Sequence, residues 1–102
     1  MPTAYVTSPP DAAADLARTL VEERLAACVN RVPCTSVYRW EGRVREESEV
    51  VLLAKTTERG YDALRERIVE LHPHDVPCVE RFDEADVLPS YASWIEEETG
   101  DE

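Results

Sequence analysis

Glycine is scarce in this chain. The three in 102 residues, Gly42, Gly60 and Gly100, are too scattered to form a loop that cradles phosphate. No G-x-S-x-G nucleophile elbow occurs either. The first absence excludes an acylphosphatase-type catalyst and the second a serine hydrolase. Carboxylates are plentiful, but on so acidic a surface their number gives no acid–base pair any specificity. The sequence therefore reads as non-enzymatic. Lysine is almost missing too: Lys55 is the only one among 11 basic residues, which face 22 acidic ones for a net charge of −11. Such a chain does not neutralise phosphates, which excludes nucleic acid as a partner, and an anionic membrane surface is disfavoured for the same reason.

Long apolar runs are also absent. No stretch approaches the roughly 20 apolar residues of a membrane span. The opening "MPTAYVTSPP" lacks the basic region and hydrophobic run of a secretory signal. Three cysteines are an odd number and are expected as reduced thiols in a cytoplasm. Acid excess with little lysine and much alanine points to a protein built for high salt, where screening relieves self-repulsion.

What remains is an ordinary globular composition, 43% hydrophobic and 32% charged, and its length suits one domain over residues 1–102. "TAYVTS" at 3–8 reads as a strand stopped by Pro9 and Pro10. Ala13, Leu16, Ala17, Leu20 and Val21 have helical spacing, so a helix is predicted over Asp11 to Arg24, capped by Ser8 or Asp11. Two strands follow, over 26–40 and 43–57, joined near Glu41-Gly42. Pro33 predicts a bend or bulge in the first of them. The apolar run "EVVLLAKTT" predicts a central strand.

Tyr61, Leu64, Ile68 and Leu71 mark a second helix, which Pro73 ends near His72. A fourth strand is expected over 76–82. A last helix in "LPSYASWIEEE" should turn Leu88, Tyr91 and Ile95 inward. The order β-α-β-β-α-β-α is that of a ferredoxin-like α+β sandwich with a C-terminal helix. One sheet face has no helical layer, and an oligomer that buries it is the natural answer in so small a domain.

Several residues carry chemistry. "ELHPHDVPC" at 70–78 offers imidazoles from His72 and His74, a carboxylate from Asp75 and a thiol from Cys78, donors suited to copper or zinc. A bland alternative stands beside it: Pro73 stops a helix, His72 faces the helix C-terminal dipole, and His74 and Asp75 lie in an exposed loop. Tyr38 and Trp40 alternate along the hairpin and share a face, where they pack at a subunit contact or stack on a ligand. Lys55, in an apolar strand, either binds an anion in a cleft or pairs with a carboxylate. Cys28 and Cys34 share one face of their strand.

"ERLAACVN" at 23–30, "VYRWEGRV" at 37–44, "LLAKT" at 52–56, "ELHPHDVPC" at 70–78 and "YASWIEEE" at 91–98 resemble, in order and spacing, the CutA family of divalent-cation tolerance proteins. The resemblance implies a ferredoxin-like subunit with a long β-hairpin arm, assembled as a PII-like homotrimer. It implies divalent metal as a partner, copper foremost, with no obligatory cofactor. It also adds Cys28 to His72 as a soft donor. The pattern is broken in places. An aromatic is usual where His74 stands, and Glu is frequent in place of Cys78. A metal-ligating cysteine of some members is Val6 here, and their second histidine is Leu71. The PII likeness implies an alternative role, in which clefts between subunits take a small anionic ligand near Lys55, Tyr38 and Trp40.

Overall fold

The computed structural model describes residues 1–100; Asp101 and Glu102, the end of the acidic tail, lie outside the described residues. Its elements are β1 (Pro2–Ser8), α1 (Pro10–Glu22), β2 (Cys28–Trp40), β3 (Arg43–Lys55), α2 (Tyr61–Leu71), β4 (Val79–Asp83) and α3 (Pro89–Glu98). The four strands form one antiparallel sheet in the order β2-β3-β1-β4. This is the expected α+β sandwich.

Alternation decides the two faces. Ala4, Val6 and Ser8 of β1 align with Ala54, Leu52 and Val50 of β3, and all but the half-buried Val50 are buried. Against them α1 places Ala13, Leu16, Ala17 and Leu20, and α2 places Tyr61, Leu64 and Ile68. Fully burying a leucine or isoleucine stabilises by about 1.5–3 kcal/mol; a one-residue slip of register would turn the opposite set of side chains towards this core. The opposite face carries Thr3, Tyr5 and Thr7 with Lys55, Leu53 and Val51, and neither α1 nor α2 covers it.

Several local expectations are corrected. No side chain caps α1: Pro9 is its N-cap, Pro10 begins it, and the Ser8 hydroxyl donates to the Pro9 carbonyl at 3.0 Å. Helix α1 stops at Glu22 because Arg24 takes a left-handed φ of 62°. The Arg24 guanidinium holds that turn by donating to the carbonyls of Gly100 and Glu97, both at 3.0 Å. No bulge interrupts β2: its pairing with β3 runs unbroken through Pro33↔Val50. As β2 lies at the sheet edge, the proline's missing N–H can face away from the ladder. Strand β4 starts at Val79, not 76. Leu88 points outward at 69% exposure, while Ile95 is fully buried as expected.

The hairpin turn follows its sequence closely. Glu41 (φ 51°) and Gly42 (φ 76°) are both left-handed, the geometry of a two-residue turn that matches strand twist. Beyond Ser8↔Val50, where β1 ends, β2 and β3 continue as a free ribbon from Cys34↔Glu49 to Trp40↔Arg43, seven pairs in all. The long arm is therefore present.

Surface charge is only sparsely compensated. Arg67 bridges Glu23 and Glu70, and Arg81 bridges Glu58 and Asp83 while lying over the Tyr61 ring at 5.0 Å. These guanidinium bonds hold the Glu23 and Asp83 carboxyls below their usual range. Most acidic residues have no such partner among the described residues. The unfolding midpoint is accordingly expected to rise from low to molar KCl as repulsion is screened. A flat or falling dependence in a thermal melt series would remove the high-salt reading.

Candidate functional site

The stretch from Leu71 to Cys78 leaves α2 at the end of β1. His72 is the C-cap, extended in backbone (φ −71°, ψ 138°), with its N–H donating to Ile68 O at 2.8 Å. Pro73 explains the stop, since the residue before proline avoids helical geometry. The His72 ring is only 7% exposed. Its Nε2 lies 2.8 Å from Thr7 O, and its Nδ1 accepts the His74 N–H at 3.1 Å. A carbonyl can only accept, so Nε2 carries the proton and Nδ1 the occupied lone pair. The ring thus ties α2, β1 and the following loop together.

That geometry bears directly on the metal reading. His74 stands beside His72 with ring centroids 5.0 Å apart, and it is exposed, as is Asp75. Cys78 is half-buried just before β4. Cys28 is elsewhere: it pairs with Lys55, which pairs with Thr3, four residues along β1 from Thr7. That offset is about 13 Å of strand. No three His, Cys, Asp or Glu side chains among the described residues come together as a metal cluster. Within one subunit, then, the donors do not fit a closed metal site: His72 has no free lone pair, and Cys28 lies at the wrong end of the sheet.

The residues expected around a ligand cleft are split as well. Tyr38 and Trp40 share a face of the free arm, where the Tyr38 hydroxyl donates to Glu47 and this bond raises the phenol's pKa. Lys55 sits at the far end of β3 on the open face, between Cys28 and Thr3. No carboxylate of the described residues lies within 4.0 Å of it, so the ion-pair reading of Lys55 finds no partner among them. Beside it are residues that sequence reasoning missed. Glu84 accepts a hydrogen bond from the Thr3 hydroxyl, and its other oxygen, Oε1, is buried without a partner. Tyr91 approaches from α3. Burial raises its pKa, with the nearby Cys28 thiol and Glu84 carboxylate adding to the rise. Glu84 lies past the end of β4 in a polar loop, and nothing in local sequence distinguishes it from its neighbours.

Known proteins share both this chain's sequence and its fold. The family profile described as "CutA1 divalent ion tolerance protein" matches residues 3–98. The Divalent-cation tolerance protein CutA of Thermus thermophilus is 47% identical over 91 residues, covering 88% of each chain. The crystal structure of CutA1 from Pyrococcus horikoshii superposes with a TM-score of 0.95 at 41% identity, over 99% of this chain and 100% of that one. A PII-like protein CutA from Nostoc sp. PCC 7120 in apo form gives 0.95 at 37% identity, over 98% of both. Arm, sheet order and C-terminal helix are thus held in common, and the chain belongs to the CutA1 divalent ion tolerance family.

Proposed function

We propose that this chain is a non-enzymatic divalent-cation tolerance protein, acting as a homotrimer in the cytoplasm, with copper as its favoured ion and no obligatory cofactor. The observation that supports the assembly most is the bare side of the sheet together with the free arm. Val32, Phe82, Val37 and Trp40 are exposed there in the single subunit, and patches of this kind mark contact surfaces. Trimeric symmetry also suits the metal reading, because one subunit alone offers too few free donors. His74 and Cys78 from several copies would converge on the ion, and His72 would join only by releasing the His74 N–H.

Calorimetry at molar KCl tests this reading. Copper should bind the wild type with micromolar or tighter affinity and should be lost in a His74→Ala, Cys78→Ser double variant. Absent binding, or binding that the double variant leaves unchanged, would remove the copper reading.

A second reading is favoured by Lys55. The lack of an ion pair to it among the described residues supports a PII-like regulatory trimer that takes a small anionic group there, in a cleft between subunits. In that case copper affinity is indifferent to the double variant.

A further inference from the structure

On the helix-bearing side of the sheet, an open groove of about 280 Å3 runs between α1 and β2. Alternation places its strand wall. Val29 and Arg31 pair with the buried Ala54 and Leu52, so they share the face that the helices cover. Beside them α1 offers the short side chains of Ala14 and Ala17, which leave the gap unfilled. With Val21, 40% exposed, these make the apolar part of the lining.

Two arginines line the same groove, Arg18 of α1 and Arg31 of β2. Neither has a carboxylate of the described residues within 4.0 Å, in a chain whose acidic residues outnumber its basic ones two to one. Glu22, one turn along α1 from Arg18, also lines the groove. Two arginines and one glutamate leave a single surplus positive charge.

That balance selects the occupant. A polyanion would overfill the charge and face repulsion from Glu22. An uncharged apolar molecule would leave both arginines without an acceptor. A single carboxylate suits guanidinium groups, whose planar fork donates two parallel N–H bonds to it. The volume lies at the low end for small-molecule clefts, roughly 300–1,000 Å3, so the apolar body must be compact.

We propose that this groove binds a small apolar monocarboxylate of the medium-chain alkyl or aryl-alkyl class. Its carboxylate accepts from Arg18 and Arg31, and its hydrocarbon body lies on Ala14, Ala17, Val21 and Val29. Asn30 and Val32 occupy the other face of β2, so an assembly through the open face buries the opposite side of this strand. The site is independent of the metal and of Lys55.

The test is a two-dimensional amide NMR titration of the assembled full chain at fixed KCl, since screening weakens the charged contact. Octanoate and phenylacetate are the probes; acetate, octanol, citrate and a hexaglutamate peptide are the comparisons. The expected result is saturable shifts at Ala14, Arg18, Val21, Val29 and Arg31 with both probes, and much weaker effects from every comparison. Arg18→Gln and Arg31→Gln, at exposed positions, should each weaken octanoate binding about tenfold or more, the loss of one charge-assisted contact. Ala14→Leu, also at an exposed position, should fill the groove and weaken it by at least as much. Octanol binding as tightly as octanoate would overturn the role of the arginines, and acetate doing so would overturn that of the apolar lining. Tighter binding of the peptide would give the groove to an acidic protein segment instead. Shifts at these residues on raising protein concentration alone would give it to a second copy. Silence from both probes, or affinity unchanged in Ala14→Leu, would overturn the site.

Discussion

Replacing His72 by alanine is expected to lower folding stability by roughly 1–3 kcal/mol, through the loss of a buried ring and of the two hydrogen bonds it makes. The Thr7 carbonyl would lose the donor at 2.8 Å and the His74 N–H its acceptor at 3.1 Å, and the space filled by the 7%-exposed ring would be emptied. Urea unfolding measures the loss. Exposed His74→Ala should by contrast stay within about 0.5 kcal/mol of wild type. A His72→Ala variant as stable as the His74→Ala one would show that the ring does not hold α2 to β1. The comparison also protects the metal experiment from misreading. A copper signal lost on His72→Ala alone could follow from a displaced loop, so ligation is better judged from His74 and Cys78.

Trp40→Ala is expected to have the largest effect on assembly. The indole is 53% exposed in the single subunit and belongs to a ribbon with no third strand. Aromatic anchors of this kind contribute about 2–4 kcal/mol at protein interfaces. That corresponds to a dissociation constant weakened roughly 30- to 1,000-fold. The core should be little affected, because Trp40 lies outside the buried cluster. Sedimentation over a dilution series measures the change. A variant that stays assembled at the same concentrations as the wild type would remove Trp40 from the proposed contact.

The fold was largely legible because its signals are local and periodic. Helical spacing in Ala13–Leu20 and Tyr61–Leu71, alternation along the strands and the Glu41-Gly42 turn all act over a few residues. The misreadings fall where distant groups decide. Arg24 adopts a left-handed backbone at the end of α1, and residues more than seventy positions away accept its guanidinium. Pro33 looked like a fault in β2 until the edge position of that strand excused it. The candidate sites were less legible for the same reason. "ELHPHDVPC" put donors close in sequence, but β1 recruited His72 as a structural tie. Cys28, Lys55 and Thr3 meet only through strand pairing and Glu84 only through the Thr3 hydroxyl, and no short window of sequence contains them together.

The arm sets two clocks for the making of the protein. Contacts of the sheet and helices form within one chain, at a rate that does not depend on how many chains are present. The seven pairs beyond Ser8↔Val50 form an unsupported two-stranded ribbon, which is marginal in water on its own. In the proposed assembly its order comes from neighbours, so it matures only as fast as subunits meet. Early in synthesis, when copies are few, a folded core would carry a fraying arm with its aromatics bare. Cellular abundance then governs how long each newly made chain remains open to proteases and to wrong partners.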